Sequence, residues 1–310
     1  MNRAAIRTEN LTRDFGKIRA VDHLTLEVPT GSIFGFLGPN ASGKTTTIHL
    51  LLGLLEPTSG RAEVLGFDTL KRGDDVRAHA GALLEHPGLY EQMSAEDNLE
   101  FYGRVWRMPA SEREARAKEL LTQLELWDRR KERIEKWSRG MKQKLALARA
   151  LFHHPPLVFL DEPTAGLDVV AAAAVRESLA QLAAREGVTV FLTTHNMAEA
   201  EKLCRRVAVI RNGKLLAIGA PDELRRHAGS PRLEVVGNGF SDSVLAQLRA
   251  RSEVSEVETR DRRLLLHLRQ DVDTAPLVSM MVAAGVRVEE VHKGRASLEE
   301  VFLTLMEEER

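Results

Sequence analysis

The 310-residue chain has a single cysteine, Cys204, few aromatic residues, and no surplus of charge of either sign, with 44 Lys plus Arg against 45 Asp plus Glu. One thiol cannot close an internal disulfide, which fits a reducing compartment. The balanced charge lacks the basic excess that meets nucleic acid or anionic lipid, so no direct nucleic-acid partner is expected. Also missing are a secretory signal and any apolar run approaching the ~20 residues of a membrane-spanning helix. The expectation is a soluble chain that reaches a membrane only through a partner. What is present is 43% hydrophobic content, over a length that suits one large domain and a smaller one.

One stretch organises the rest. Gly38-Pro39-Asn40-Ala41-Ser42-Gly43-Lys44-Thr45 follows the apolar run Ile33 to Leu37 and precedes a helical pattern from Thr46 to Leu55. Strand, glycine loop and helix start are the context that the phosphate-binding pattern G-x-x-x-x-G-K-[ST] requires. Glycines let the backbone curl with its amides inward, and the helix adds its positive end. Lys44 is placed to bridge outer phosphates and Thr45 to offer a hydroxyl to magnesium, so the expected ligand is a nucleoside triphosphate with Mg²⁺, with Thr46 also on the loop.

Flanking segments complete an alternating α/β pattern. Ala4 to Leu11 and His23 to Val28 read as short strands around a turn that carries Phe15, which suits either stacking on adenine or a small core. Ala80 to Leu84 is a strand ending at Glu85. Ser94 with Asp97 marks a helix N-cap and its acidic first turn, and a further amphipathic helix runs from Ala110 to Leu124. Residues 87–150 are therefore mostly helical, an insert between strand-bearing stretches. Leu157 to Leu160 is unbroken apolar sequence, as in a parallel strand covered on both faces, and it ends in Asp161-Glu162. A helix from Val170 to Glu186 and a strand from Val188 to Leu192 lead to His195. A hairpin with Asn212-Gly213 at its turn closes this part.

From about Pro221 the texture changes. Strands near Arg232–Val236, Val254–Thr259, Leu264–Leu268 and Arg287–Val291, with helices between, follow the order β-α-β-β-α-β of a ferredoxin-like unit. The expected division is a cassette over 1–220, with its helical subdomain at about 87–150, and an accessory α+β domain over 221–310.

A strand-tip aspartate opposite a phosphate loop suits a metal ligand, so Asp161 is assigned to magnesium. Glu162, one residue on, is placed to take a proton from an attacking water. His195 lies where open α/β sheets bind ligands.

Together with Trp137-Ser138-Arg139-Gly140-Met141, these residues resemble the ATP-binding subunit of an ABC transporter, whose signature loop is normally Leu-Ser-Gly-Gly-Gln. The resemblance runs from near the N-terminus to about Gly219. It implies that Glu162 is the catalytic glutamate, His195 the switch histidine, Asp168 the dimer-contacting aspartate and Phe15 the adenine-stacking aromatic. It also implies that Ser138 and Gly140 cap a nucleotide held by a second cassette, in a homodimer or with a related chain. Glu85 stands where the family usually has a metal-reaching glutamine. The Ser-Arg-Gly-Met signature and the ending from Arg295 to Phe302 resemble the drug and polysaccharide exporter branch. The implied protein is an exporter ATPase at the inner, cytoplasmic face of the cell membrane, bound there through an integral-membrane subunit. Rival readings are a soluble ABC-type ATPase acting on ribosomes or nucleic acid, and a nucleotide-dependent regulator.

Overall fold

The structure is a computed structural model that describes residues 4–228, 231–294 and 297–308. It divides into two compact units, Met1–Ala220 and Pro221–Arg310.

The first unit opens with a long antiparallel pair, β1 (Ala4–Phe15) and β2 (Ile18–Pro29), which runs into β3 (Ile33–Leu37). Helix α1 (Lys44–Leu51), strands β4 (Ser59–Val64) and β5 (Phe67–Asp68), and α2 (Gly73–His79) lead to β6 (Ala80–Leu83). Three helices follow, α3 (Ala95–Val105), α4 (Ala110–Gln123) and α5 (Arg139–Leu151). The chain then alternates through β7 (Leu157–Asp161), α6 (Val169–Glu186), β8 (Thr189–Thr194) and α7 (Met197–Leu203), and ends in the hairpin β9 (Arg206–Arg211) and β10 (Lys214–Gly219).

Three of these spans differ clearly from expectation. Strands β1 and β2 extend to Phe15 and Ile18, because Asn10 and His23 take left-handed backbone with φ of 47° and 50° and the ladder shifts register around them. Such bulges break the period of two that a sequence displays. Helix α1 stops at Leu51 rather than Leu55, since Gly53 adopts a φ of 62° and a Cβ there would meet the Thr69 carbonyl.

The six-stranded sheet has the order β10-β9-β3-β8-β7-β6, parallel except for its final hairpin. Its central strands are buried on both faces, and Phe191 on β8 packs against Phe34, Phe36 and Phe159 with ring centroids 5.4–5.8 Å apart. Register matters more for function than packing does. Leu37 pairs with Thr194, Asp161 with Thr193, and Leu83 with Leu160. Parallel strands therefore deliver the phosphate loop, Asp161-Glu162, His195 and Glu85 to one edge of the sheet, where open α/β folds hold ligands.

The helical region is fastened by its own polar contacts. Ser94 and Asp97 form a reciprocal capping box at the start of α3, an arrangement that stabilises a helix by about 1 kcal/mol. Arg116 of α4 is buried and donates to Glu186 at 2.7 Å and to the Leu151 carbonyl at 2.9 Å, tying α4 to the ends of α5 and α6.

The second unit begins with α8 (Pro221–Ala228) and continues β11 (Arg232–Asn238), α9 (Asp242–Arg249), β12 (Val254–Arg260), β13 (Arg263–Leu268), α10 (Ala275–Ala283), β14 (Arg287–Gly294) and α11 (Leu298–Glu308). Its sheet is wholly antiparallel in the spatial order β12-β13-β11-β14, the arrangement that a split β-α-β unit produces. Leu264, Leu266 and Leu268 point to a core that includes Leu245, Leu248, Leu277 and Met281. The exporter-like ending named above starts at Arg295 and Ala296, which lie outside the described residues; within its described part Leu298 and Val301 are buried.

Candidate functional site

A cavity of about 820 Å³ opens at the sheet edge, lined by loop residues Asn40, Ala41, Gly43, Lys44, Thr45 and Thr46 and by Glu85, Asp161, Glu162 and His195. Phe15 and Ile18 also line it. Gly38 and Gly43 are required by close backbone approach: a Cβ would strike the Ile210 carbonyl in one case and the Ala20 carbonyl in the other. Gly43 also carries a φ of 105° and serves as the N-cap of α1 without a side-chain cap, so the first amides of that helix remain free for an anion. Within the loop the Ser42 amide donates to the Pro39 carbonyl at 3.3 Å. Ser42 is buried, and its Oγ has no hydrogen-bond partner among the described residues, an uncompensated polar atom of the kind that a bound phosphate group satisfies.

Lys44 is almost fully buried. Its Nζ donates to the carbonyls of Gly38 and Pro39 at 2.8 and 2.9 Å and lies 3.2 Å from Glu162 Oε1. The other oxygen, Oε2, is 2.6 Å from His195 Nδ1. Lys44, Glu162 and His195 thus form one continuous polar chain from the loop to the cavity mouth. Glu162 itself sits at a φ of 51°, and its amide donates to both the carbonyl and the hydroxyl of Thr193. A non-glycine residue in that region is strained by roughly 1–3 kcal/mol, held here by those two bonds at the point where its carboxylate is aimed.

Beside this chain, Thr45 Oγ1 donates to Asp161 Oδ2 at 2.7 Å, and Thr193 donates from its hydroxyl to Oδ1. A hydroxyl and a carboxylate oxygen in contact are a hard donor set that suits magnesium, which prefers oxygen ligands and keeps several waters. Glu85 lines the same cavity without a partner of its own among the described residues. Strand β6 before it is held by Arg149, which donates to the Ala82 carbonyl at 2.8 Å, and the loop after it by Tyr102, whose hydroxyl donates to the Gly88 carbonyl. Burial pushes the Arg149 guanidinium below its usual pKa.

Phe15 stands half-exposed at the cavity rim, with the Arg13 guanidinium 4.6 Å from its ring centroid, so it is not a core residue. Ser138, Gly140 and Asp168 do not line the cavity. Ser138 caps α5 by accepting from the Met141 amide, and Asp168 caps α6 by accepting from the Ala171 amide at 2.9 Å. Gly140 lies between them, where a Cβ would come within 3.1 Å of the Ala171 side chain. These three residues therefore form a second surface on the same unit. Next to it Val169 and Val170 are 84% and 79% exposed.

Sequence reasoning missed several participants. Thr193 orients both Asp161 and Glu162, but a threonine inside a β-branched run carries no signal in a sequence. Glu199 is 1% exposed and accepts from the hydroxyls of Thr164 and Thr194, joining the segment after Glu162 to the one before His195. Arg139 and Gln143, beside the signature residues, also reach the cavity.

Comparison with known proteins gives a consistent result. Residues 21–165 match the family described as ABC transporter, and residues 219–306 match the family described as ATP-binding protein DrrA1-3-like, C-terminal domain. The chain is 36% identical to the daunorubicin resistance ATP-binding protein DrrA3 of Streptomyces coeruleorubidus, over 99% of this chain and 97% of that one. It is 34% identical to the bacitracin transport ATP-binding protein BcrA of Bacillus licheniformis, over 97% of each. Among solved structures, one described as the ATP binding subunit of an ABC transporter matches with a TM-score of 0.65 and 30% identity, over 72% of this chain and 92% of that one.

Proposed function

The chain belongs to the ATP-binding proteins of ABC transporters, and on that premise we propose that it hydrolyses ATP to drive an exporter whose membrane-crossing part is a separate subunit. The observation that carries this reading is the polar chain Lys44–Glu162–His195 lying beside the Thr45–Asp161 pair on one cavity. In the proposed cycle the triphosphate lies against the free amides of α1, and Lys44 exchanges the loop carbonyls for phosphate oxygens. Thr45 and Asp161 would hold magnesium, with Glu85 on the same wall, and the ion when bound would supply positive charge against the outer phosphates. Glu162 takes a proton from water as the water oxygen bonds to the γ-phosphorus and the bond to the bridging oxygen breaks, releasing ADP and phosphate. His195 holds the second carboxylate oxygen so that the first faces the water, and it is near enough to the cavity mouth to meet the γ-phosphate.

Ser138, Gly140 and Asp168 stand outside this cavity, so they serve the site of a second copy, or of a related cassette, with exposed Val169 and Val170 at the contact. Residues 87–150, hinged at Glu85, are the proposed docking surface for the membrane subunit. Among the described residues no helix is long and apolar enough to cross a membrane, in keeping with a peripheral position at the inner, cytoplasmic face through that subunit. The C-terminal unit over 221–310 is an accessory domain of the same chain. A ribosome- or nucleic-acid-directed ATPase is not favoured, because the relatives named above are transport and resistance proteins along nearly the whole chain.

Comparing wild type with Glu162→Gln tests the assignment. Turnover is expected to fall by about 10²–10⁴ while a fluorescent ATP analogue still binds, and ATP is expected to trap the variant as a dimer. Equal and negligible hydrolysis in both proteins, even with the membrane subunit present, would overturn it in favour of a regulator without turnover.

A further inference from the structure

Three carboxylates and three permanent cations line the nucleotide cavity: Glu85, Asp161 and Glu162 against Arg19, Lys44 and Arg139. Four of the six are accounted for. Asp161 accepts from Thr45 and Thr193, Glu162 bridges Lys44 and His195, and Arg19 is held by Asp14 and Asp22 at 2.9 and 3.1 Å. Glu85 and Arg139 have neither a hydrogen bond nor an ion pair among the described residues, and they are opposite in charge. Arg139 lines the cavity from the start of the helix that follows the signature loop. It is the first residue of α5, and its guanidinium lies across Gly166, in the space that a Cβ on that glycine would occupy. Gly166 has a φ of 68° as well, so the turn that clears this path is one that favours glycine.

A triphosphate brings about four negative charges to a cavity whose wall already holds two engaged carboxylates, and each further unpaired carboxylate weakens its binding. An unpaired arginine on the same wall offsets that penalty. We propose that Glu85 and Arg139 are a compensating charge pair within one nucleotide site, Arg139 acting as a positioning residue that makes the third carboxylate tolerable beside ATP. This inference rests on the nucleotide-site reading above and adds a cost and a remedy that the reading does not contain.

The test is a double-mutant cycle on the full chain with Mg²⁺ present, using Glu85→Gln, Arg139→Gln and the two combined, read as the affinity for a fluorescent ATP analogue. Removing Arg139 alone is expected to weaken binding about fivefold, the scale of a partly solvated charge pair. In the Glu85→Gln background the same removal is expected to change affinity little, and Arg139→Lys is expected to restore most of the loss. Raising salt to 0.5 M is expected to shrink the coupling, since the pair is open to solvent. Equal weakening in both backgrounds would mean that Arg139 acts on phosphate alone, and no weakening in either would mean that it acts on neither; each result overturns the pair. If wild type itself binds no nucleotide, the failure lies with the nucleotide site and not with the pair.

Discussion

The two units of the chain treat buried polarity in opposite ways. Between Thr8 and Glu199 the cassette buries Lys44, Asp161, Glu199 and Arg116 together with a series of threonine and serine side chains, whereas the described part of the C-terminal unit buries no polar or charged side chain. Buried ionic groups are weak contributors to stability and are costly when a partner is lost. Lys44, Asp161, Thr193, Thr194 and Glu199 gather at one sheet edge, where the first unit gives up packing quality for chemistry, while Arg116 lies apart on α4. The second unit is built as a packing domain, with leucines on one face of its sheet and charge on the other.

The largest effect that would sharpen this contrast is expected at Asp161. Asparagine in its place keeps the size but turns one acceptor into a donor facing a threonine hydroxyl, and removes the charge. ATP turnover is expected to drop by about 10²–10³, with the melting temperature nearly unchanged. A loss of stability matching the loss of activity would show that Asp161 is part of the structural core, and the contrast would fail.

The counterpart in the second unit is Leu266, which is fully buried on β13. Leu266→Ala is expected to cost about 2–5 kcal/mol of stability, read as faster amide exchange across residues 232–294, while nucleotide affinity of the cassette is unchanged. An equal shift in nucleotide affinity would mean that the two units are energetically coupled, and that the C-terminal core is not merely packing.

The same contrast explains what could be read from the sequence. The phosphate loop was legible because its function lies in contiguous backbone, where Gly43 and Lys44 are fixed by spacing alone. The order of the C-terminal unit was legible because its short apolar runs, such as Leu264 to Leu268 bounded by Arg263 and Arg269, are separated by helix-forming stretches and turns. Thr193 and Glu199 were not legible, because their roles come from strand register and from a helix folding back, which bring together residues 5–35 apart. The reach of Arg139 into the cavity depends on the turn at Gly166, and the sequence shows only a substitution in a motif. Strands β1 and β2 were underestimated where Asn10 and His23 interrupt the alternation.

The smallest expected effect lies in the cassette but away from its nucleotide edge, at His153. The imidazole stacks on Trp106 with centroids 4.0 Å apart, and burial pushes its pKa from 6.5 down to about 4. The folded protein therefore holds this ring neutral in a range where the unfolded chain takes up a proton. Stability from this group is fully present above about pH 6.5 and is lost as pH falls toward about 4. Between pH 7.5 and pH 5 the wild type is expected to lose about 2–4 °C more in melting temperature than His153→Gln, whose side chain does not titrate. Nucleotide affinity at pH 7.5 should be the same in both proteins, because among the described residues the His153 ring makes no hydrogen bond that could lead to the Lys44–Glu162–His195 chain. If the variant shows the same pH dependence as wild type, the acid sensitivity belongs to the carboxylates. If instead its nucleotide affinity falls, then polar burial in the helical region is coupled to the site, and the division between chemistry at one edge and packing elsewhere has to be redrawn inside the cassette itself.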